Sequence, residues 1–298
     1  MNRIVIIIEG GELPLQKDIS IFEREFDELV FVVLWQNFQT VVQRDWHPGN
    51  VLAETKQRLL QYCTRPFYLL PFDGQSLYSN QTMIRLSHFV PHFSHVATHI
   101  KVLCQTAKMM DYPSHLIDTQ TIDSISNHNT IRRALFITRA QPFHNGHVEF
   151  IQQILRQYDE AIIAVACTEQ ALSSHNPATA GERMEMISAY ILPHFHKQIW
   201  IVPFSHTSYM MEKMKDILWL MPRISQIYST NPAHIIMGEM EGLKTTIPTI
   251  QTSVRATEIR DRLIKNESIK GMVPSETEKV IYDLNLDKRV QFLHHNAL

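Results

Sequence analysis

The sequence predicts an α/β protein with two Rossmann-like, mainly parallel sheets in tandem. Two observations point there first. Short β-branched runs alternate with segments whose apolar residues recur every three or four positions, the arrangement that produces crossovers and helices on both faces of a parallel sheet. That alternation then occurs twice with its landmarks in step. The length allows it: 298 residues suffice for two domains of roughly 100–200 residues each.

The elements follow in order. Residues 4–8 form an unbroken apolar run. Acidic residues follow it and no small-residue cleavage site is visible, so it reads as a buried first strand and not as a leader. Residues 20–26 carry helical spacing, and 29–34 and 67–70 read as further strands. The polar stretch 118–130 lacks a continuous apolar pattern and reads as a linker, giving domains over 1–125 and 131–298. Beyond it, 134–138, 161–166 and 199–202 read as strands, and 148–157 as a helix. Met210, Met211, Met214, Leu218 and Met221 share one helical face and read as core. Ser275 and Glu278, after Pro274, have the spacing of a capping box.

The two halves reuse the same words. FDELVFVV from Phe26 resembles YDEAIIAV from Tyr158, LLPF ending at Phe72 resembles IVPF ending at Phe204, and the segments around Pro91 and Pro222 are alike. Asp27 to Pro71 and Asp159 to Pro203 are both 44 positions, and Pro91 to Gln120 and Pro222 to Gln251 are both 29. Such registration implies two copies of one domain.

Composition excludes several classes. Lys plus Arg number 28 against 30 for Asp plus Glu, a net charge of −2. A chain so balanced does not coat nucleic acid or an anionic membrane, and neither is expected as a partner. With 9 glycines and 14 prolines it is neither collagen-like nor of low complexity. No apolar run approaches the ~18 residues of a membrane span. Cys63, Cys104 and Cys167 are widely spaced and suggest a reducing, cytoplasmic setting.

The chemistry is concentrated after the first strand of the second half, in Thr138-Arg139-Ala140-Gln141-Pro142-Phe143-His144-Asn145-Gly146-His147. Two histidines three apart at a helix start project from one side. The helix N-terminus adds unpaired N–H groups and a positive dipole end that suit a phosphate. Gly146 lets a nucleotide approach the backbone. Together they suit a triphosphate whose phosphorus undergoes in-line displacement.

Residues 132–292 resemble the HxGH nucleotidyltransferases, and among them the archaeal-type nicotinamide-mononucleotide (NMN) adenylyltransferases. FITRAQPFHNGH is similar to that family's FxGRFQPxHxGH opening, and YDEAIIAVA to its second strand. NPATAGERMEM, from Asn176, is similar to NPFTxxERxxM, and the segment from Val254 to ISxTxIR and the helix after it. The Tyr228-Ser229-Thr230-Asn231-Pro232 turn resembles the family's late loop.

The resemblance implies attack by a mononucleotide phosphate on the α-phosphorus of ATP, with pyrophosphate leaving and NAD formed when the acceptor is NMN. On that basis His144 and His147 contact ATP phosphates, and Arg139 and Arg183 offer forked donors. Thr257 and Arg260 hold the departing phosphates, while Gly146 and Asn231 help bind the nucleotide. Mg²⁺ accompanies ATP with few protein ligands. Related enzymes are commonly multimeric, which leaves a homo-oligomer open without the sequence fixing the oligomeric state.

Departures from the family cluster. Thr138 replaces a glycine, Ala140 a phenylalanine and Arg255 the serine of ISxTxIR. Ala171-Leu172 stand where a Ser-His pair is expected, with Ser174-His175 as a displaced counterpart. The acceptor loop reads Phe204-Ser205-His206-Thr207-Ser208, and Trp219 falls out of register with the family's acceptor-recognising tryptophan. The adenylyl-donor half is kept and the acceptor half altered. Two alternatives to NMN adenylyl transfer therefore stay open: another phosphorylated acceptor, or a catalytically weak nucleotide-binding regulator. The first half has no histidine in residues 8–15 and carries Glu9 and Glu12. Carboxylates there repel ATP, as expected of a degenerate copy lacking the HxGH motif.

Overall fold

The computed structural model describes residues 2–35, 46–72, 80–204, 210–249 and 251–296. Two compact units result, one of Met1–Ile131 with Lys215–Arg223, the other of Arg132–Met214 with Ile224–Leu298. No helix among the described residues is long and apolar enough to cross a membrane.

The first unit runs β1 (Arg3–Glu9), β2 (Glu12–Pro14), α1 (Gln16–Glu25), β3 (Glu28–Leu34), α2 (Pro48–Tyr62), β4 (Phe67–Phe72), α3 (Asn80–Phe89), β5 (His95–Thr98), α4 (Lys101–Met109), β6 (Ser114–Leu116) and β7 (Thr119–Thr121). Its main sheet is parallel, in the order β4-β3-β1-β5-β6. Ile4 through Ile8 are wholly buried. Covered on both faces, the strand shows continuous rather than alternating hydrophobicity.

The second unit runs β8 (Arg133–Thr138), α5 (Asn145–Leu155), β9 (Glu160–Ala166), α6 (Ala180–Phe195), β10 (Ile199–Phe204), α7 (Met210–Leu220), β11 (Gln226–Tyr228), α8 (Pro232–Met240), β12 (Lys244–Thr246), α9 (Ala256–Ile264), α10 (Ser275–Asp283) and α11 (Leu286–His295). Residues 215–220 of α7 belong to the first unit. The sheet is again parallel, in the order β10-β9-β8-β11-β12. From the central β8 the chain first builds outward through β9 and β10. It then returns to β11 on the other side, so a crevice opens at the carboxyl ends of β8, β9 and β11.

Each sheet has the same internal brace. Arg3 Nε lies 2.5 Å from Glu28 across β1 and β3, and Arg133 Nε lies 2.5 Å from Glu160 across β8 and β9. Just before each arginine, a backbone N–H donates to the aspartate that precedes the neighbouring strand: Asn2 to Asp27 at 2.6 Å and Arg132 to Asp159 at 2.8 Å. Both arginines are buried, which a cation tolerates only when paired and hydrogen-bonded.

Two expectations change in detail. The stretch 118–130, read as a linker, carries backbone structure of its own: β7 pairs antiparallel with β2, Ile122 is wholly buried, and its N–H donates to Gly11 O at 2.7 Å. Farther on, buried His128 lies 3.1 Å from Glu54, which also accepts from Ser126 N. Burial pushes the Glu54 carboxyl up, but hydrogen bonds from Arg58, Ser126 and His128 outweigh it and hold it at about 2. The polar composition concealed backbone pairing and a satisfied carboxylate. The capping box at Ser275 also fails, because Pro274 is the N-cap of α10 and Ser275 instead donates to Glu276 at 2.9 Å. Met214 and Met221 are buried as expected. The Met210 and Met211 side chains lie outside the described residues.

Candidate active site

The crevice holds a cavity of about 820 Å³, on whose wall the ends of β8 and β9 meet the N-termini of α5, α8 and α9. Arg139, His144, Gly146, His147 and Asn231 all line it. The sequence places them there through a short loop. After β8 the chain turns at Ala140, with a left-handed φ of 48°. Gln141 then pairs with both backbone groups of Ala178, Nε2 to O at 2.9 Å and Oε1 from N at 3.1 Å. Extended His144 (φ −148°) is the N-cap of α5, which puts both histidines on the first turn.

The histidines differ in what they leave free. His144 is buried, and its Nδ1 has no hydrogen-bond partner among the described residues. His147, stacked between Phe143 at 5.3 Å and His144 at 3.8 Å, has both nitrogens engaged. Its Nδ1 accepts from His144 N at 3.1 Å and its Nε2 lies 3.0 Å from Thr138 Oγ1. Gly146 leaves room for this stack, since a Cβ there would come within 3.1 Å of the His144 ring.

Burial lowers His144 to about 4. Burial first, and then the neighbouring His144, hold His147 well below the ordinary range. Both rings are therefore neutral near pH 7 and serve as N–H donors without charge. The sign of the stability effect follows: an unfolded histidine titrates near ~6.5, so between about pH 6.5 and 4 the unfolded chain binds more protons. Stability is thus full above this window and falls as pH drops through it, by up to about 3 kcal/mol from His144. Urea unfolding from pH 7 to pH 4 should show this loss, and His144→Ala should remove part of the slope. Identical slopes would mean that His144 is not the group responsible.

Among the described residues the wall carries cations without carboxylates. Arg139 is exposed and has no carboxylate partner among the described residues. Half-buried Arg260 donates to Gln141 O at 2.7 Å and to Thr257 Oγ1 at 3.5 Å. Burial first, and then the nearby Arg139 charge, lower its pKa. Arg255 caps α9 without a side-chain bond, so the first N–H groups of that helix have no side-chain acceptor from their cap. Asn231 caps α8, its Oδ1 accepting from Ala233 N at 3.0 Å.

One sequence-based assignment changes. Arg183 is wholly buried and absent from the cavity wall. Its guanidinium donates to the carbonyls of Thr179, Ala166, Arg139 and Cys167 at 2.6–3.2 Å, so it braces the site and does not face a phosphate. Burial lowers it to about 10. Thr257 and Arg260 stand beside the wall, not on it. Among the altered positions, Leu172, Ser174 and His175 are exposed. Trp219 packs on His47 at 5.1 Å in the first unit, and 205–208 lie outside the described residues.

Sequence reasoning overlooked His234, buried on the wall with Nδ1 3.0 Å from Ser229 Oγ. The Asn231-Pro232 helix start was its available signal, because position 234 lies on the same first turn.

The first unit differs at the matching sheet end. Glu9 lies 3.7 Å from His99, whose hydrogen bond, opposed by burial, lowers the carboxyl's pKa. A Cβ at Gly10 would come within 2.4 Å of the Trp35 ring, so the indole closes over that turn.

Neutral donors and uncompensated cations at the switch point of a parallel sheet are the equipment of nucleotidyl transfer, and the second unit is a nucleotidyltransferase. Residues 135–262 match the Cytidylyltransferase-like family. The nicotinamide-nucleotide adenylyltransferase of Methanococcus aeolicus is 32% identical over 164 residues, covering 54% of this chain and 95% of its own. That of Methanospirillum hungatei is 30% identical over 172 residues, covering 55% and 95%. A crystal structure of a bifunctional NMN adenylyltransferase/ADP ribose pyrophosphatase from Francisella tularensis aligns with 54% of this chain and 53% of that one, at 17% identity and a TM-score of 0.48. Through this second unit the chain belongs to the nicotinamide-nucleotide adenylyltransferase family.

Proposed function

We propose that the second unit transfers the adenylyl group of ATP to NMN, giving NAD and pyrophosphate. The observation carrying this reading is the meeting of His144 with Arg139 and the open N-terminus of α9 on the cavity wall; among the described residues the buried Nδ1 of His144 is unpartnered and the wall holds no carboxylate. The names of the relatives support NMN as acceptor.

The acceptor's phosphate oxygen forms a bond to the α-phosphorus as the bond to the pyrophosphate oxygen breaks, and pyrophosphate leaves with the electron pair. No enzyme-bound intermediate is needed, so the protein positions the reactants and meets developing charge. His144 supplies a neutral N–H, and Arg139 meets non-bridging oxygens. Arg255 and the first N–H groups of α9 receive the departing pyrophosphate. Arg260 acts from behind by holding the loop at Gln141 O. Mg²⁺ would accompany ATP as the counterion of its triphosphate.

The first unit is then a second copy of the fold without the site. The shared strand order and the repeated Arg–Glu brace support this, and so do Glu9 and Trp35 at the sheet end where the second unit carries its cavity.

Purified protein with ATP, Mg²⁺ and NMN should release pyrophosphate and NAD in equal amounts. No turnover with NMN, nicotinate mononucleotide or a panel of phosphorylated acceptors overturns the enzymatic reading.

A further inference from the structure

Hydrogen-bond bookkeeping at His147 leads to Thr138. A backbone N–H can only donate, so His147 Nδ1 accepts from His144 N and the neutral ring carries its hydrogen on Nε2. Nε2 therefore donates to Thr138 Oγ1, 3.0 Å away. The same oxygen accepts from Ala140 N at 3.2 Å. Both acceptor positions of the hydroxyl are then filled, and its own hydrogen has no protein acceptor among the described residues. Thr138 lies on the cavity wall with Arg139 and His144.

We propose that Thr138 stands between His147 and the substrate, its hydroxyl held by His147 Nε2–H and Ala140 N–H and presenting its own hydrogen to a phosphate oxygen of a nucleoside triphosphate. The identity of that anion rests on the adenylyl-transfer reading. His147 is then a positioning residue that works through Thr138, and His144 is the histidine that meets phosphate directly. The glycine expected here from the family resemblance has no hydroxyl and would leave the Nε2–H uncovered. In this chain threonine covers it and extends the donor chain by one link. Such a chain gains strength when its last acceptor is charged.

Two substitutions separate this role from simple packing. Valine copies the shape of threonine and suits a strand, whereas serine keeps the hydroxyl and loses a methyl. Thr138→Val should weaken MgATP binding, read by titration calorimetry, by about 10- to 100-fold, the worth of one hydrogen bond to a charged group. Thr138→Ser should stay within about threefold of wild type, by the same measure of retained bonding. Long-range ¹H–¹⁵N spectra of the wild-type protein should show the Nε2–H tautomer of His147. A merely structural threonine predicts the reverse order, with valine tolerated and serine not. ATP binding unchanged in Thr138→Val, serine as poor as valine, or an Nδ1–H tautomer each overturns the proposal. If ATP binding depends on Thr138 but NMN yields no NAD, the acceptor assignment falls and the relay stands. If NAD forms equally well in wild type and Thr138→Val, the relay falls and the adenylyl-transfer reading stands.

Discussion

Replacing His144 with alanine lowers kcat for adenylyl transfer by about 10²–10³-fold, the usual effect of removing one preorganised donor from a developing oxyanion. Stability at pH 7 changes by less than about 1 kcal/mol, because two effects oppose each other. Truncation removes packing against His147, but it also removes a buried nitrogen that has no partner among the described residues, and an unsatisfied buried polar atom costs about 1–3 kcal/mol. Since the donor acts on charge that develops during displacement, kcat and kcat/KM should fall together while KM for ATP stays nearly constant. A kcat within about threefold of wild type would show that another donor carries the transition state.

The legible parts of this protein were those whose information is local. Residues 4–8 and 134–138 are buried on both faces, so their apolar runs marked central strands without reference to any partner. The HxGH motif was legible because its strand end, loop and helix start are contiguous in sequence. The three-residue strands β2, β6, β7, β11 and β12 were not legible. Three residues carry no period, and their pairing depends on a distant partner, as Thr119–Thr121 depends on Glu12–Pro14. Thr138 showed in sequence only as a mismatch, because its meaning lies in a contact nine residues away. Arg183 went the other way. Its place in a motif implied a substrate contact, but sequence position does not say where a guanidinium points.

Arg183 and Arg139, both assigned to phosphates by sequence, should separate cleanly by experiment. Arg183→Met removes donors to four main-chain carbonyls: Ala166 at the end of β9, Cys167 after it, Arg139 after β8 and Thr179 at the start of α6. Thr179 O keeps the Arg183 N–H and Cys167 O the Gln170 N–H, so the loss falls on Ala166 O and Arg139 O. Each orphaned buried acceptor costs about 1–3 kcal/mol, less whatever water or local shift recovers, so a net loss of about 3–5 kcal/mol is expected. The cavity should lose its shape with the loop, and turnover should fall as a consequence of structure. Arg183→Lys keeps a charge but not the planar fork that reaches four carbonyls at once, and should fall between wild type and methionine. Arg139→Met removes an exposed guanidinium without a carboxylate partner among the described residues, so stability should stay within about 0.5 kcal/mol. Turnover should nevertheless fall by about 10²-fold or more, as expected for a cation aimed at transferring phosphate. Urea unfolding and steady-state kinetics on the three variants decide the matter. If Arg183→Met kept its unfolding midpoint and lost only turnover, its guanidinium would have to reach substrate, and the carbonyl brace would not be its main role.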